Sequence, residues 1–296
     1  MKYFILVGSL AACTYPTDRG VPGSSQVLRP DVPGTVFTIV FENENQEDIL
    51  SVLPFFTRLA AETSQAAAYV STTHPSLPNY IEMTSGTTAG ISNDNDPRFN
   101  IQIGGTENLA DQLDAAQIPW RAYVESMGEP CKLDSIDPLY SAHHNPFLYY
   151  TTMVGDSLRC AQRVVDFDEN FTADLASGDY RFMWITPNTC NDLHNCDGLV
   201  GDAWLERVAG QIMASSAYQN GGALFVLFDE GSTRFLSAGA NLATIVASPN
   251  LEHTGYVCET AFDHRSYLAT IEDIFHMPRL PTTDHVTPMD EFFKLE

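Results

Sequence analysis

Four apolar runs of this sequence are each followed, within a few residues, by polar side chains that could bind a metal ion or act in catalysis. In chain order these side chains are Glu42 and Asn43, then Ser76, then Asn188, Asp192 and His194, and finally Asp229 and Glu230. Carboxylate and amide oxygens are hard ligands, suited to Mg²⁺, Ca²⁺, Mn²⁺ or Zn²⁺, and carboxylates brought together repel one another unless a cation compensates them. Either acidic pair alone could instead cap the helix that follows it. The two pairs together favour a divalent metal site.

Ser76 is the candidate nucleophile. It follows the strand-like run that ends at Val70, and residues 81–85 could continue a helix from it. A serine at a helix N-terminus lies where backbone N–H groups and the helix dipole favour a phosphate or a developing alkoxide. A bound metal could lower the pKa of its hydroxyl and make it a nucleophile. The structural alternative is that Ser76 is only an N-cap, a common position for serine.

Three histidines are candidates for the remaining chemistry. His144 lies in a loop-like stretch, His194 follows the third apolar run, and His264 precedes a helical segment. Each could ligate a metal, donate to a phosphate oxygen or protonate a leaving group. His74, two residues before Ser76, could instead position its loop. A single histidine is more often a packed or surface residue, so each assignment depends on the residues converging in space.

Short apolar runs and longer helical stretches alternate along the chain. The expected strands are residues 36–41, 67–70, 120–124, 182–185, 223–228 and 242–247, and the expected helices are residues 48–62, 108–116, 202–215 and 266–275. Runs that are apolar on both faces indicate central strands of a parallel sheet covered by helices. The alternation predicts an α/β fold, a three-layer α/β/α sandwich with a mostly parallel central sheet. Because ligands bind beyond the carboxyl ends of parallel strands, the polar residues at the four strand ends should converge on one crevice.

Length and charge limit the possible classes of protein. The chain has 296 residues, with 15 Lys and Arg against 38 Asp and Glu, and its formal net charge is −23. Without a basic stripe it should not bind nucleic acid or an anionic membrane. The sequence contains no Gly-x-Ser-x-Gly elbow, no P-loop and no dinucleotide fingerprint. We expect one catalytic domain over residues 34–296, preceded by a surface leader over residues 13–33 that is rich in Pro, Gly, Ser and Thr.

The first residues are typical of a targeting segment. A short apolar run after a single lysine ends in small residues and is too short to span a membrane. We therefore expect residues 1–12 to be the signal segment of a secreted protein. Leu10 to Cys13 also resembles a bacterial lipobox, in which Cys13 would carry a lipid anchor, but we favour simple cleavage near Ala12. Asn170 begins a glycosylation sequon, and no later segment is typical of a membrane-spanning helix.

The six cysteines are expected to form disulfides, because the chain has the features of a secreted protein. Six cysteines allow fifteen connectivities. Short sequence separation favours Cys190–Cys196 first and Cys131–Cys160 second. The cysteine spacings match no zinc-ribbon pattern, so a cysteine metal site is not expected.

Several blocks of the sequence, taken in order, resemble the phosphoesterase family, which holds acid phosphatases and phospholipases C of the phosphatidylcholine type. The blocks are FEN at 41–43, THPSLPNY at 73–80, WRAYVESM at 120–127, HNPF at 144–147, TPN at 186–188, NDLH at 191–194 and FDEG at 228–231. The resemblance extends from about residue 36 to about residue 275. It implies a fold similar to that of alkaline phosphatase, with a central sheet between helical layers.

The resemblance also implies roles for individual residues. Glu42, Asn43, Asp229 and Glu230 would bind a divalent metal, Ser76 would be both nucleophile and metal contact, and His144, Asp192, His194 and His264 would surround the phosphoryl group or a second ion, with Asp192 among the metal ligands. Glu230 stands where acid phosphatases of the family carry a second Asp, a departure that bears on the metal preference. The acidic segment at residues 44–48 lacks the aromatic residue often found there.

The expected function is that of a secreted, metal-dependent hydrolase of phosphate monoesters, acting through a covalent phosphoserine at Ser76 on a small phosphate-ester substrate. A phospholipase C or another phosphodiesterase on the same site is one alternative. The shortness of the chain, without an obvious lipid-binding domain, favours the monoesterase. A secreted binding protein that keeps the fold without turnover is the other alternative. The identity and number of the metal ions, the natural substrate and the oligomeric state stay open.

Overall fold

The computed structural model describes residues 28–100, 104–135, 137–232 and 241–296. Its strands are β1 Val36–Phe41, β2 Ser64–Val70, β3 Trp120–Val124, β4 Val164–Asp166, β5 Phe182–Thr186, β6 Ala223–Phe228, β7 Ile245–Ala247 and β8 Tyr256–Asp263. These strands form one sheet in the order β4-β3-β5-β1-β6-β7-β2-β8. Neighbouring strands are parallel, except that β7 runs antiparallel to both β6 and β2.

Helices lie on both sides of this sheet. The α-helices are α1 Gln46–Leu50, α2 Pro54–Glu62, α3 Ser76–Ser85, α4 Leu109–Ala115, α5 Thr151–Val154, α6 Ser157–Arg163, α7 Phe167–Ser177, α8 Gly198–Ala214, α9 Ser216–Gln219 and α10 His264–Ile274. Short 3₁₀ helices lie at Ala142–His144, Pro146–Tyr149 and Asp290–Phe292. Helix α2 packs on α8, and α3 packs on α10. The predicted α/β fold with a mostly parallel central sheet is confirmed.

The central strands β1 and β6 are buried along their whole length. Both are apolar except for Thr38, whose hydroxyl is hydrogen-bonded to the Tyr267 hydroxyl at 2.7 Å. Each large apolar side chain buried in this way stabilises the fold by about 1.5–3 kcal/mol. The two strands pair in parallel register, with Phe41 opposite Phe228, and β1 also pairs in parallel with β5. This register places the residues that follow β1 beside those that follow β6.

Most of the predicted elements are present, with shifts at their ends. The strands expected at residues 36–41, 120–124 and 223–228 have the predicted bounds. The single helix predicted over residues 48–62 is wrong, because Pro54 begins a new helix and separates α1 from α2. Two strands were not predicted: β4, which has only three residues, and β8, whose partly exposed residues give it no continuous apolar run.

Both predicted disulfides are confirmed. Cys131 is bonded to Cys160, and Cys190 is bonded to Cys196. Cys258 is a buried thiol that donates to Glu291 Oε1 at 3.0 Å. Among the described residues, none of the helices is both long and apolar enough to cross a membrane.

The last residues of the predicted leader run beside the C-terminal residues. The Arg29 N–H donates to Glu296 O at 3.0 Å, and the Asp31 N–H donates to Lys294 O at 2.8 Å. Val32 is buried and belongs to the hydrophobic core, so the core extends to at least this residue. The signal segment, Cys13 and the remainder of the leader lie outside the described residues. Asn170 of the sequon lies within α7, where its Nδ2 donates to Asp166 O at 2.9 Å.

Candidate functional site

Glu42 and Asp229 are the first residues beyond two paired parallel strands, and they emerge side by side at the carboxyl edge of the sheet. Both side chains are completely buried. The Asn43 N–H donates to Asp229 Oδ1 at 3.1 Å, and Asn43 Nδ2 donates to Glu42 Oε2 at 3.2 Å. Asn43 has a φ of 56°, a left-handed conformation that Asn tolerates better than most residues. The chain can therefore turn here while both amide groups of Asn43 contact the carboxylates.

Ser76 is the first residue of α3 and lies against two carboxylates from distant parts of the chain. Its hydroxyl donates to Glu42 Oε2 at 3.0 Å and lies 3.4 Å from Glu230 Oε1. Pro78 is tolerated in the first turn, where N–H groups have no intrahelical partner. The N-cap position of α3 is Pro75, and Ser76 is the residue after it, so the alternative in which Ser76 is only an N-cap is wrong.

Two further residues of α3 hold the same carboxylates. The Tyr80 hydroxyl donates to Glu42 Oε1 at 2.5 Å, and Asn79 Nδ2 lies 3.4 Å from Glu230 Oε2. Neither residue was predicted to belong to the site. Their spacing contained the signal, because residues three and four positions after Ser76 lie on the same face of a helix.

His74 lies at the outer side of Glu230. Its Nδ1 is 2.6 Å from Glu230 Oε2, and the histidine side chain is half exposed while the glutamate is buried. Glu230 therefore spans from the Ser76 hydroxyl to the rim of the site. Because His74 lies in the loop before Ser76, this contact links that loop to Glu230.

His144 and Asp192 form a second donor group that shares Glu42 with the first. One ligand atom from each of these three residues lies within 4.8 Å of the others, and all three residues are buried. His144 Nε2 is 3.4 Å from Glu42 Oε1, and His144 Nδ1 is 3.2 Å from Asp192 Oδ2. The Tyr80 ring stacks on the His144 ring at a centroid distance of 5.5 Å. Burial lowers the pKa of His144 to about 3, so its imidazole is neutral, which is the form that ligates metals.

The site has buried ligand atoms that the described part of the chain does not satisfy. His144 Nδ1 and Nε2, Asp192 Oδ2 and Asp229 Oδ2 are buried and form no hydrogen bond with any described residue. Buried polar atoms are normally paired, and buried charges are normally paired or coordinate a metal. Four buried carboxylates in one cluster also repel one another. Oxygen-rich ligands with one imidazole suit Mg²⁺, Mn²⁺ or Zn²⁺, so the residues present fit a divalent cation.

Burial raises the pKa of every carboxyl group in this cluster. It raises the pKa of Asp229 to about 6 and that of Asp192 to about 7. Burial, followed by the charge of Asp229, raises the pKa of Glu230 to about 9. The same two causes, in the same order, raise the pKa of Glu42 well above its usual value. Without a cation, the folded protein therefore holds these groups protonated at pH values where free carboxyl groups are ionised.

The metal-free protein should lose stability as the pH rises. A carboxyl group whose pKa is raised by folding stabilises the fold below its unfolded pKa, and this contribution is lost as the pH rises through the folded pKa. The values of about 6, 7 and 9 for Asp229, Asp192 and Glu230 place the loss between roughly pH 4 and pH 9. Scanning calorimetry in EDTA should show a falling unfolding midpoint from pH 5 to pH 8, and Mn²⁺ should reverse most of the fall at pH 8. An unfolding midpoint in EDTA that does not fall over this pH range would contradict the claim that folding raises the pKa values of these carboxyl groups.

His264 has a different position from that expected of a catalytic histidine. Its ring is completely buried, with Nε2 2.6 Å from Asp229 O and Nδ1 3.0 Å from the Tyr69 hydroxyl. Both ring nitrogens thus have protein partners. His264 supports the backbone of Asp229 instead of facing a substrate, which corrects the prediction that it surrounds the phosphoryl group.

His194 lies at the exposed rim of the site. Its N–H donates to Asp192 Oδ1 at 2.9 Å, its ring Nδ1 is 2.8 Å from Asn195 Oδ1, and its ring centroid is 5.9 Å from that of His144. The structure therefore brings together Glu42, Asn43, Ser76, His144, Asp192, Asp229 and Glu230, with His194 at the rim.

Fold and site together define an α/β protein with a serine and side chains that could hold a metal ion at the carboxyl edge of its sheet. The chain belongs to the Phosphoesterase family, whose model matches residues 50–278. The resemblance found in the sequence blocks is thereby confirmed.

Three curated proteins are similar to this chain. The phosphate-repressible acid phosphatase of Penicillium chrysogenum is 28% identical over 239 residues, which cover 77% of this chain and 56% of that protein. The acid phosphatase of Aspergillus fumigatus is 27% identical over 234 residues, which cover 76% of this chain and 51% of that protein. The phosphatidylinositol-3-phosphatase of Mycobacterium tuberculosis is 25% identical over 262 residues, which cover 87% of this chain and 82% of that protein. The chain thus spans about half the length of the two fungal relatives.

Solved structures confirm the alkaline-phosphatase-like fold. A protein of the alkaline phosphatase superfamily from Vibrio parahaemolyticus superposes with a TM-score of 0.61 at 12% identity, covering 86% of this chain and 70% of that chain. The phosphonate monoester hydrolase of Silicibacter pomeroyi superposes with a TM-score of 0.59 at 12% identity, covering 88% of this chain and 76% of that chain. At such identities the similarity shows the fold alone.

Proposed function

We propose that this protein is a metal-dependent hydrolase of phosphate monoesters that uses Ser76 as its nucleophile. One observation carries the proposal: the buried Ser76 hydroxyl lies 3.0 Å from Glu42 Oε2 and 3.4 Å from Glu230 Oε1. The surrounding cluster has ligand atoms that form no hydrogen bond with any described residue. Membership of the Phosphoesterase family supports it. A serine at a helix N-terminus beside metal ligands suits attack on a phosphate ester.

The residues that would hold the cation are Glu42, Asn43, Asp229 and Glu230 with Ser76 Oγ, and the neighbouring pair His144 and Asp192 offers further ligand atoms through the shared Glu42. A bound divalent cation supplies Lewis acidity that polarises a phosphate oxygen and lowers the pKa of a serine hydroxyl. His144 is better suited to ligation than to acid catalysis, because its buried imidazole is neutral.

In the proposed reaction, Ser76 Oγ attacks phosphorus in line with the leaving oxygen. The new bond from Oγ to phosphorus forms as the ester bond to the alcohol breaks, and the hydroxyl proton passes to Glu42 Oε2, to which Ser76 donates. The leaving alkoxide takes a proton from the His194 imidazolium at the exposed rim. Water then attacks the phosphoserine and gives one proton to His194. Inorganic phosphate leaves, and Ser76 Oγ recovers its proton from Glu42 Oε2. Positioning and electrostatic stabilisation dominate catalysis of this kind.

Chelation should remove the activity reversibly. Dialysis against EDTA should abolish hydrolysis of p-nitrophenyl phosphate, and one added divalent cation should restore it, because the carboxylates then regain their counter-charge. The test is a panel of Mg²⁺, Ca²⁺, Mn²⁺ and Zn²⁺ on the metal-free protein, together with elemental analysis of the purified protein. Full activity in excess EDTA, with no metal in the sample, would contradict metal dependence. If no phosphate ester is cleaved with any cation, the non-catalytic alternative replaces the proposal.

Substrate choice between monoesters and diesters is tested by comparing kcat/KM values on three compounds. The three curated relatives are all phosphatases by name, which supports a monoester. We expect p-nitrophenyl phosphate to be hydrolysed faster than bis(p-nitrophenyl) phosphate or phosphatidylcholine vesicles. The reverse order would replace the monoesterase with the phosphodiesterase or phospholipase C alternative.

Secretion is part of the same proposal. Two disulfides, Cys131–Cys160 and Cys190–Cys196, fit an oxidising compartment, because cytosolic thiols are kept reduced. The apolar run within residues 1–12 supports export.

A further inference from the structure

Glu125 is a buried carboxylate that the proposed reaction does not use. It follows β3 directly and is 5% exposed. Its Oε2 accepts from the Asn188 N–H at 2.9 Å and from Asn191 Nδ2 at 2.8 Å, while Oε1 accepts from Trp204 Nε1 at 2.9 Å. Charge-assisted hydrogen bonds of this kind are about twice as strong as neutral ones, so Glu125 holds its three donors firmly.

Two of these three donors belong to the loop that carries Asp192. The backbone O of Asn188 accepts from the Asp192 N–H at 2.8 Å, and the backbone O of Asp192 accepts from the Glu42 N–H at 2.9 Å. The disulfide Cys190–Cys196 closes the same loop. A continuous series of hydrogen bonds therefore leads from Glu125 to Asp192 and on to Glu42.

We propose that Glu125 is a positioning residue, which fixes the loop of residues 187–196 so that the Asp192 carboxylate faces His144 and Glu42. The proposal rests on the proposed function of that site. The contact that depends on it is close, with Asp192 Oδ2 3.2 Å from His144 Nδ1. A displacement of about 1 Å at a reacting centre can lower a rate by about 100-fold. The disulfide joins the loop only to itself, and Thr189 joins it to the neighbouring segment, its N–H donating to Leu139 O and its hydroxyl to Pro138 O, both at 3.0 Å. Glu125 adds the contacts that join the loop to the end of β3.

The test is the substitution Glu125→Gln in the full chain. Glutamine keeps the size of the side chain but has a single acceptor oxygen, so it cannot accept from the loop and from Trp204 at once. We expect kcat/KM for p-nitrophenyl phosphate to fall by about 10- to 100-fold and the Kd for Mn²⁺, measured by calorimetric titration, to rise by about 10-fold or more, the usual effect of losing a group that orients metal ligands.

Glu272→Gln is the matched control. Glu272 is completely buried and accepts from a backbone N–H of Leu280 at 2.9 Å, an amide of Gln112 at 2.9 Å and the hydroxyl of Thr283 at 2.6 Å. It thus has the same kind of hydrogen bonds as Glu125 at a position outside the site. We expect it to lower the unfolding midpoint as Glu125→Gln does, while the Kd for Mn²⁺ and kcat/KM stay within about twofold of wild type, as for substitutions that touch no functional group.

Asn191→Ala keeps the test decisive if Glu125→Gln does not fold. It removes one of the two loop contacts and leaves Trp204 bonded to Glu125. We therefore expect kcat/KM to fall and the Kd for Mn²⁺ to rise, each by a smaller factor than in Glu125→Gln. Equal Mn²⁺ affinity and kcat/KM in Glu125→Gln and Glu272→Gln would overturn the positioning role while the proposed function stands. If the wild-type protein binds Mn²⁺ but cleaves no phosphate ester, the function fails and the Mn²⁺ affinities alone decide the role of Glu125. A wild-type protein that binds none of Mg²⁺, Ca²⁺, Mn²⁺ and Zn²⁺ would overturn both.

Discussion

Replacing Ser76 with alanine should abolish turnover of p-nitrophenyl phosphate, with kcat lowered by on the order of 10³-fold or more, the usual effect of removing a nucleophile. The substitution removes the atom that attacks phosphorus, together with one hydrogen bond to Glu42. It does not remove a helix cap, because the Ser76 side chain makes none. We therefore expect a change in the free energy of unfolding of only about 1 kcal/mol. Initial rates with saturating Mn²⁺ and circular dichroism measure the two effects.

Ser85→Ala is the control for this substitution. Ser85 lies in the same helix, is equally buried, and its hydroxyl donates to Ile81 O at 2.9 Å. It should retain the wild-type rate while losing a similar amount of stability. If Ser76→Ala keeps more than about a tenth of the wild-type kcat, which losing a nucleophile does not allow, the nucleophile is another residue.

Replacing Glu42 with glutamine should lower activity by more than about 100-fold, because Glu42 contacts Ser76, Tyr80 and His144. Replacing a residue that only orients the metal ligands often lowers activity by about 10- to 100-fold, and Glu42 is itself a proposed ligand. The same change should raise the stability of the metal-free protein. Glu42 is completely buried, and burial and the charge of Asp229 raise its pKa, so its ionised form opposes folding. At pH 8 in EDTA we expect the unfolding midpoint to rise by about 2 °C or more, the shift that about 1 kcal/mol produces in a domain of this size.

Asp202→Asn is the matched control for Glu42→Gln. The Asp202 carboxylate is also buried, and it accepts from the N–H groups of Phe55 and Phe56 in the first turn of α2 at 2.9–3.1 Å. A carboxylate at a helix N-terminus stabilises the fold, so its replacement should lower the midpoint and leave kcat unchanged. If Glu42→Gln lowers the unfolding midpoint in EDTA as Asp202→Asn does, the claim that the clustered carboxylates repel one another is contradicted.

Local sequence was sufficient for the fold class and for the central strands. β1 and β6 are apolar on both faces, and in a chain with intervening helices this pattern is typical of the buried strands of a parallel sheet. Strand β8 was missed because it lies at an edge of the sheet, where only Cys258 and Phe262 are buried and Glu259 interrupts the apolar residues. The break at Pro54 was readable from the sequence, since proline favours the first helical position.

The sequence indicated most residues of the candidate site, but not the directions in which their side chains point. Strand ends indicated Glu42 and Asp229, because neighbouring parallel strands release their next residues at one edge. The direction of a side chain carries no such signal: the His264 ring lies against the backbone O of Asp229, and its partner there comes from 35 positions earlier in the chain. Glu125 illustrates the same limit, since its three donors become neighbours only after β3, β5 and α8 pack together.

Acid quenching of the reaction, followed by mass mapping of the peptides, shows whether hydrolysis passes through a phosphoserine at Ser76. The wild-type protein is mixed with Mn²⁺ and excess p-nitrophenyl phosphate, quenched during turnover and digested. We expect one phosphoryl group on the peptide that contains Ser76, present during turnover and gone once the substrate is exhausted. Steady hydrolysis with no phosphoryl group on Ser76, or with one on another residue, would contradict the covalent mechanism.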